Sequence, residues 1–476
     1  MTATASAGPD TQNQEGRRTR LVVLGGGPAG DVAALRGAQL GADVTLVERA
    51  ELGGTCLNWG CIPTKSLLAT ADLVRKIKRA SEFGIEIPDF SIDFTRMMER
   101  KEEVVLAMRG GVEQACKRKG VRVVRGQGAV DSGDGQLSVV VDGERIPADQ
   151  LVVCVGTEAY GLPGVDMDHP SVVTSNGILR LPRLPERLLI IGGGVIGCEF
   201  ASFFAPLGTQ ITVVEMLPQI LAGVEPRIVR EFRKAMEQQG ITFLVGRTLE
   251  GVVEYGEGTV TARLDDGTEI TAETMLVSIG RKAETRGIGL EEAGVEIDER
   301  GFVAVDGMLR THNPRIWGAG DCIGGLQLAH LGSKEGERAT ENALGHHPRA
   351  MDRTVVPSCI YTHPEIAMVG LTSETAKALG HEVRTGQARF VGNGKALGEG
   401  EKDGIAQIHA DAASDVILGA TIMGAHAVEM IHEIAVAISD GLTLAELGDV
   451  IHAHPTTSEL VMDSAQQGEK VAPYLS

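Results

Sequence analysis

Two cysteines, Cys56 and Cys61, enclose four residues in a chain that carries only 7 cysteines among 476 residues. They lie in the stretch Gly53-Gly-Thr-Cys-Leu-Asn-Trp-Gly-Cys-Ile-Pro-Thr-Lys65. A close thiol pair can stay reduced in a core, join other ligands around a metal, or interconvert with a disulfide that relays electrons. No second cysteine or histidine pair lies near this one in the sequence, which disfavours the metal. On a regular α-helix, residues five apart have Cα atoms roughly 8 to 9 Å apart. That exceeds the usual disulfide range of about 4.4 to 6.8 Å, so a bond between these sulfurs requires a bent backbone. Asn58 and Gly60 allow the bend, and Pro63 suits a first helical turn that begins near Cys61. Cys61 then meets the positive end of a helix, and Lys65 lies on the same helical face; both favour a thiolate.

A second candidate for chemistry closes the chain: His452-Ala-His-Pro-Thr-Thr-Ser-Glu459. A protein disulfide that exchanges with a dithiol needs a base for the incoming thiol's proton, and histidine is the side chain that titrates near neutrality. Pro455 keeps His454 out of helix, and a helix starting near Thr456 turns Glu459 back to orient the imidazole. Alone, a His-Pro pair near a C-terminus reads as a surface turn; it gains meaning only jointly with Cys56 and Cys61. His452 has no comparable role.

Such groups need elements to hold them, and the chain offers one arrangement twice. The apolar run 20–24 feeds Gly25-Gly-Gly-Pro-Ala-Gly30, helical periodicity follows, and a second strand from Asp43 ends at Glu48. Gly25 permits a tight turn, Gly27 lets backbone approach a pyrophosphate, and Gly30 lets the helix pack close to the strand. Glu48 is placed to accept from ribose hydroxyls. The run 187–191 likewise feeds Gly192-Gly-Gly-Val-Ile-Gly197, and the strand from Gln210 ends at Glu215. From first glycine to acid the separation is 23 residues in both copies (25 to 48 and 192 to 215). Two nucleotide sites are expected, against the alternative of two purely structural turns. An acid at Glu215 favours an unphosphorylated ribose, hence NAD over NADP.

The cysteine stretch closely resembles the redox segment of the flavin-dependent pyridine nucleotide-disulfide oxidoreductases, and the likeness spans residues 20 to 470. It implies an α/β fold: two Rossmann-like dinucleotide-binding domains plus a C-terminal α+β dimerisation domain. The expected boundaries are a disordered tail at 1–19, an FAD-binding domain at 20–156 and 281–350, an NAD-binding domain at 157–280, and an interface domain at 351–476. The first glycine copy is implied to bind FAD and the second NAD. The resemblance adds Gly53, Thr55 and Lys65 to the flavin site and pairs Lys65 with Glu199. On sequence alone, Glu199 is equally an acid at a helix N-terminus. Thr311-His-Asn-Pro-Arg-Ile-Trp-Gly-Ala-Gly-Asp321 is similar to a second FAD signature, with Asp321 at a ribityl hydroxyl. Ala329-His330 match the segment beneath the flavin ring, ahead of a helix from about Ser333 to Leu344. Leu151 to Thr157 and Met275 to Arg281, with Gly280 in the latter, match the crossovers between the domains.

In the family, the cysteine matching Cys56 exchanges with substrate and the one matching Cys61 meets the flavin. The histidine matching His454, oriented by the carboxylate matching Glu459, completes the site of the other subunit. The resemblance therefore implies a homodimer that oxidises the dihydrolipoyl groups of 2-oxo acid dehydrogenase or glycine cleavage complexes, with FAD and NAD as cofactors. Reduction of glutathione-like disulfides, quinones or mercuric ion, and a non-catalytic flavin-binding redox sensor, are the alternatives. The mercuric reading is disfavoured because the last cysteine is Cys359.

Composition narrows the rest. With 45 basic against 64 acidic residues the net charge is -19, which disfavours nucleic acid and anionic membranes as partners. No apolar run approaches the roughly 20 residues of a membrane span, Arg17-Arg18 lacks an export-type apolar segment behind it, and scattered cysteines point to a reducing cytoplasm. Cys154 and Cys198 are expected to fill core space. Three departures from the family stand out. Asp31 places an extra negative charge beside the first glycine copy, harmless if exposed. Thr157-Glu-Ala-Tyr160 replaces a Ser-Arg-Pro pattern, and Ala283-Glu284 replaces Pro-Asn.

Overall fold

The structure is a computed structural model that describes residues 17–469. Residues 1–16 of the expected loose tail lie outside the described residues. Arg17, at its end, is ion-paired with Asp149 at 3.0 Å. The chain forms two compact units: one from residues up to 66 with 98–160 and 280–352, the other from 67–97, 161–279 and 353 onward.

In the first unit, five parallel strands stand in the spatial order Ile316–Gly318, Gln150–Val153, Arg20–Leu24, Asp43–Glu48, Arg122–Arg125. The central strand reads Leu-Val-Val-Leu without a polar break because both its faces are covered. Leu21 and Val23 face a cluster with Ala33 of the helix Pro28–Gln39 and Ala339 of the helix Ala329–Ala343. Val22 and Leu24 face the other way, against Val139 and Val141 of a three-stranded antiparallel sheet. Successive side chains of a strand point to opposite faces, so one apolar run supplies two cores. That antiparallel sheet turns at Gly133–Gly135 and at Asp142-Gly143.

The second unit repeats the plan: Ile241–Val245, Gln210–Glu215, Arg187–Ile191, Thr274–Val277 and Val172–Thr174 form a parallel sheet in that order. In both sheets the strand before the glycine turn is central and the strand ending in the acid is its neighbour. Cys154 and Cys198 are buried, as expected of core thiols. The C-terminal part holds an antiparallel sheet in the order Ser358–Ile360, Ile366–Gly370, Ile417–Met423, Ile405–Asp411, Val383–Arg389. Its residues Ile408 and Ile422 pack with Ile431 and Ile434 of the helix Ala427–Asp440 and with Leu460 and Val461 of the helix Glu459–Gln467.

Two boundaries depart from the sequence reading. The helix expected from Ser333 begins at Ala329, after the extended residue Leu328, so Ala329 and His330 form its first turn. Ser333 lies within the helix, its hydroxyl donating to the carbonyl of Pro28 at 3.1 Å. The helix expected near Thr456 begins at Glu459, because residues 456–458 are held in a turn in which the Thr456 hydroxyl donates to Ala453 O.

Candidate active site

The cysteine stretch folds as two helices, Gly54–Trp59 and Cys61–Lys78, broken at Gly60. Gly60 has φ −142° and ψ −111°, and a Cβ there would stand 3.0 Å from Thr55 O, so this glycine makes the bend. Asn58, expected to share in the bend, instead lies inside the first helix and is buried. Its amide donates to Leu52 O and Gly54 O, each at 2.9 Å, and its carbonyl accepts from Arg109 Nε at 3.0 Å. Arg109 comes from the helix Phe94–Lys119 and also faces Glu51 at 3.4 Å. Arg109 carries no signal in the sequence; only the fold brings residue 109 to residue 58.

The Cys56 thiol is hydrogen-bonded to Cys61. That bond and burial hold the Cys56 thiol far above the ordinary thiol range, while the Lys65 charge pulls it back. A charge on Cys61 opposes ionisation of Cys56, and Cys61 is the first residue of an 18-residue helix, where a thiolate is favoured. Of the two thiols, Cys56 is therefore the one held protonated.

This segment is fastened to the first glycine turn. Gly53 N–H donates to Gly26 O at 2.7 Å, and a Cβ on Gly54, at φ +54°, would lie 2.6 Å from Gly27 Cα. The turn is equally closed on its protein side: a Cβ on Gly30 would meet Gly25 O at 1.8 Å, and one on Gly25 would meet Cys154 O at 2.3 Å. A Cβ on Gly27 would approach nothing closer than 3.9 Å. In the second turn Gly197 is likewise jammed against Gly192 O at 2.1 Å, whereas a Cβ on Gly194 would meet no atom within 4 Å. The middle glycine of each turn thus faces open space, and these cradles fit the phosphates of a dinucleotide at a helix N-terminus.

The two acids show something the spacing did not reveal. Glu48 Oε2 accepts from Gly26 N at 2.6 Å and Oε1 from Ala50 N at 2.7 Å. Glu215 does the same with Gly193 N at 2.7 Å and Leu217 N at 2.8 Å. Each carboxylate oxygen has a lone pair left for a ribose hydroxyl, but each acid also pins its glycine turn to the end of the next strand.

Asp321 Oδ2 accepts from the Thr157 hydroxyl at 3.0 Å, and that hydroxyl accepts from Arg281 Nε at 2.8 Å. Arg281 also donates to Thr157 O at 2.6 Å and reaches Thr55 Oγ1 at 3.5 Å. Burial lowers its basicity, opposed by the charges of Asp321 and Cys61. Gly280, at φ +131°, lets the chain turn into this cluster. The divergent crossovers have a physical reason: Thr157–Ala159 and Arg281–Ala283 pair as an antiparallel ribbon. Glu158 meets Lys282 across it at 2.6 Å, and Glu284 meets Arg49 at 2.6 Å. Charged pairs thus tie the two crossovers to each other and to Arg49.

In the second unit, Glu199 is buried and its Oε1 accepts from Tyr361 N–H at 3.0 Å. His454 Nδ1 lies 2.9 Å from Glu459 Oε1, and Glu459 Oε2 accepts from Thr456 N–H at 2.9 Å. These bonds, the Thr456 one first, hold the Glu459 carboxyl below its ordinary range. The imidazole edge beyond Nδ1 points outward, with 78% of the His454 side chain accessible. His452 is buried against Glu433 at 2.7 Å and is structural. Among the described residues there is no cluster of His, Cys, Asp or Glu suited to a metal ion, and no helix is long and apolar enough to cross a membrane.

Comparison with known proteins agrees with this arrangement. Residues 19–336 match the family model of the pyridine nucleotide-disulphide oxidoreductases, and residues 356–465 match the dimerisation domain of the same family, which supports a homodimer. The chain is 40% identical over 452 residues to a dihydrolipoyl dehydrogenase of Chlamydia muridarum, covering 93% of this chain and 95% of that one. It is 39% identical over 464 residues to one of Bacillus subtilis, covering 94% and 97%. Among solved structures it is similar to LpdA from Mycobacterium tuberculosis, with 28% identity, TM-score 0.88 and coverage of 94% and 99%. The HOCl-induced flavoprotein disulfide reductase RclA from Escherichia coli gives 28% identity, TM-score 0.85 and the same coverage.

Proposed function

Since the chain belongs to the pyridine nucleotide-disulphide oxidoreductases, we propose that it is a dihydrolipoyl dehydrogenase, which oxidises carrier-bound dihydrolipoamide with FAD and NAD. The observation that carries this reading is the Cys56–Cys61 pair, hydrogen-bonded at the start of a helix and fastened to a dinucleotide cradle. Held at the two glycine cradles, FAD and NAD would supply the two-electron redox chemistry that reoxidises the reduced cysteine pair.

The remaining steps belong to the chain's own side chains. With the pair oxidised, His454 takes the proton of one substrate thiol, and the resulting thiolate attacks Cys56 Sγ. The Cys56–Cys61 bond breaks and the electron pair leaves on Cys61, where the helix N-terminus and Lys65 favour the negative charge. The second substrate sulfur then attacks the first, closing the cyclic disulfide and releasing Cys56; of the two substrate protons one passes to Cys56 and the other stays on His454, so substrate is oxidised and the protein pair reduced. Glu459 keeps Nδ1 protonated and leaves Nε2 as the base.

The exposure of His454 supports a site completed across a two-fold dimer, each histidine serving its partner's cysteines. Gly25, Gly27, Gly30, Glu48 and Asp321 are assigned to FAD; Gly192, Gly194, Gly197 and Glu215 to NAD. We place the enzyme in the cytoplasm beside a lipoyl-bearing acyltransferase or glycine cleavage carrier. Purified protein should reduce NAD with dihydrolipoamide and leave glutathione disulfide untouched with NADPH. Turnover of the glutathione pair alone would overturn the assignment.

A further inference from the structure

Asp31 was expected to be harmless if solvated, and the structure corrects that expectation. The residue keeps some exposure, but its Oδ1 is sealed from water and has no hydrogen-bond partner. Its backbone N–H donates to Gly27 O at 2.9 Å, so the carboxyl stands about one helical turn, roughly 5.4 Å of rise, beyond the middle glycine of the first cradle. We propose that Asp31 sets how tightly this chain holds FAD, by placing a buried titratable carboxyl beside the pyrophosphate-binding turn so that flavin retention weakens in alkaline solution. This deepens the reading above and rests on FAD binding there.

The neighbours of Asp31 offer it no compensating charge. Across from it stand two buried thiols, Cys116 of the helix Phe94–Lys119 and Cys154 after the strand Gln150–Val153, and both feel its charge. Glu113, which also acts on Cys116, is paired with Arg125 at 3.1 Å. On its own helix Arg36 is held by Glu341 at 2.5 Å. From the helix Ala329–Ala343, Arg338 lies 3.4 Å from the same Glu341, and Glu335 accepts from Gly320 N–H at 3.0 Å. Glu48, at the base of the turn, is already engaged by Gly26 and Ala50. Among the described residues, therefore, no cation pairs with Asp31.

Burial pushes the carboxyl up to about 7, with the Val32 N–H pulling weakly the other way. A pyrophosphate brought nearby disfavours the carboxylate further, so the loaded protein binds more proton at this site than the empty one. Flavin retention is then constant while Asp31 is protonated in both forms, and falls as pH rises through the value of the empty form.

The test follows release of FAD from the purified holoenzyme by flavin fluorescence after dilution, in wild type, Asp31→Asn and Asp31→Leu. Between about pH 6.5 and about pH 9 the wild-type dissociation constant should rise about tenfold, as expected when one proton is linked to binding. Both variants should change less than about twofold over the same range, and should hold FAD more tightly than wild type at the alkaline end. A flat wild-type profile overturns the proposal, as does an equal rise in a folded variant; if Asp31→Asn does not fold, Asp31→Leu decides. A yellow protein with a flat profile removes only the role of Asp31, whereas a protein that retains no FAD removes the flavin site with it.

Discussion

Replacing Gly54 by alanine probes the joint between the cysteine segment and the first glycine turn. An alanine at φ +54° adopts the left-handed region, which costs about 1 kcal/mol. Its Cβ would lie 2.6 Å from Gly27 Cα, roughly 1 Å inside the 3.5–4.0 Å of a favourable carbon contact. Both atoms belong to backbone-fixed positions, so the segment and the turn must separate. Moving apart by about that amount takes the 2.7 Å bond from Gly53 N–H to Gly26 O out of hydrogen-bond range, a further loss of about 1 kcal/mol. Together the two effects come to about 2 kcal/mol or somewhat more against the geometry that FAD requires, a weakening of FAD binding by roughly 30-fold. The assay is flavin content after gel filtration and the FAD dissociation constant by fluorescence. Gly84→Ala provides the control, since Gly84 has φ +77° but nothing within 4 Å of a Cβ, isolating the conformational cost from the clash. Gly54→Ala protein that keeps FAD as tightly as wild type would refute the reasoning.

Three other substitutions test separate parts of the arrangement. Glu459→Gln removes the anion that orients His454; kcat with dihydrolipoamide should fall by roughly 10- to 100-fold while FAD content stays constant, and an unchanged kcat would strike Glu459 from this role. Arg109→Met leaves Asn58 Oδ1 as a buried acceptor without its charged donor, which should destabilise by about 1–3 kcal/mol and speed alkylation of Cys56. Wild-type melting together with wild-type alkylation would show that Arg109 does not hold the segment. Glu215→Arg removes acceptors from both Gly193 N–H and Leu217 N–H, so besides weakening NAD it should lower the melting temperature, by about 2 °C or more per kcal/mol lost. An arginine variant that melts with wild type would show that the acid is not a pin.

What could be read beforehand was local in the chain. The strand-turn-helix units, the break between the cysteines, the helix start at Cys61 and the bond from Glu459 to His454 all follow from residues within a few positions of one another, where steric and capping rules act directly. Helix starts were less legible: the helix placed from about Ser333 begins at Ala329, and the Ser333 hydroxyl is drawn to Pro28 O, a partner 305 residues away in sequence. The same limit hid Arg109, which meets Asn58 across 51 residues, and the chain from Arg281 through Thr157 to Asp321, which is assembled from three separated segments. Asp31 was visible as an oddity, but its consequence depends on burial, which tertiary packing alone decides. Glu48 and Glu215 stood out by their spacing, but the backbone donors they satisfy in the glycine turn and just past the strand went unread.

That last feature bears on how coenzyme choice can evolve. On the NAD placement proposed above, one carboxylate both greets the nucleotide sugar and staples the loop that receives its phosphates, so a lineage drifting toward a phosphorylated coenzyme cannot simply exchange the acid for a base. It must first find another acceptor for two amide protons, or pass through a form with a slack loop that grips neither coenzyme. Inherited preference is thus guarded by architecture as much as by selection on turnover.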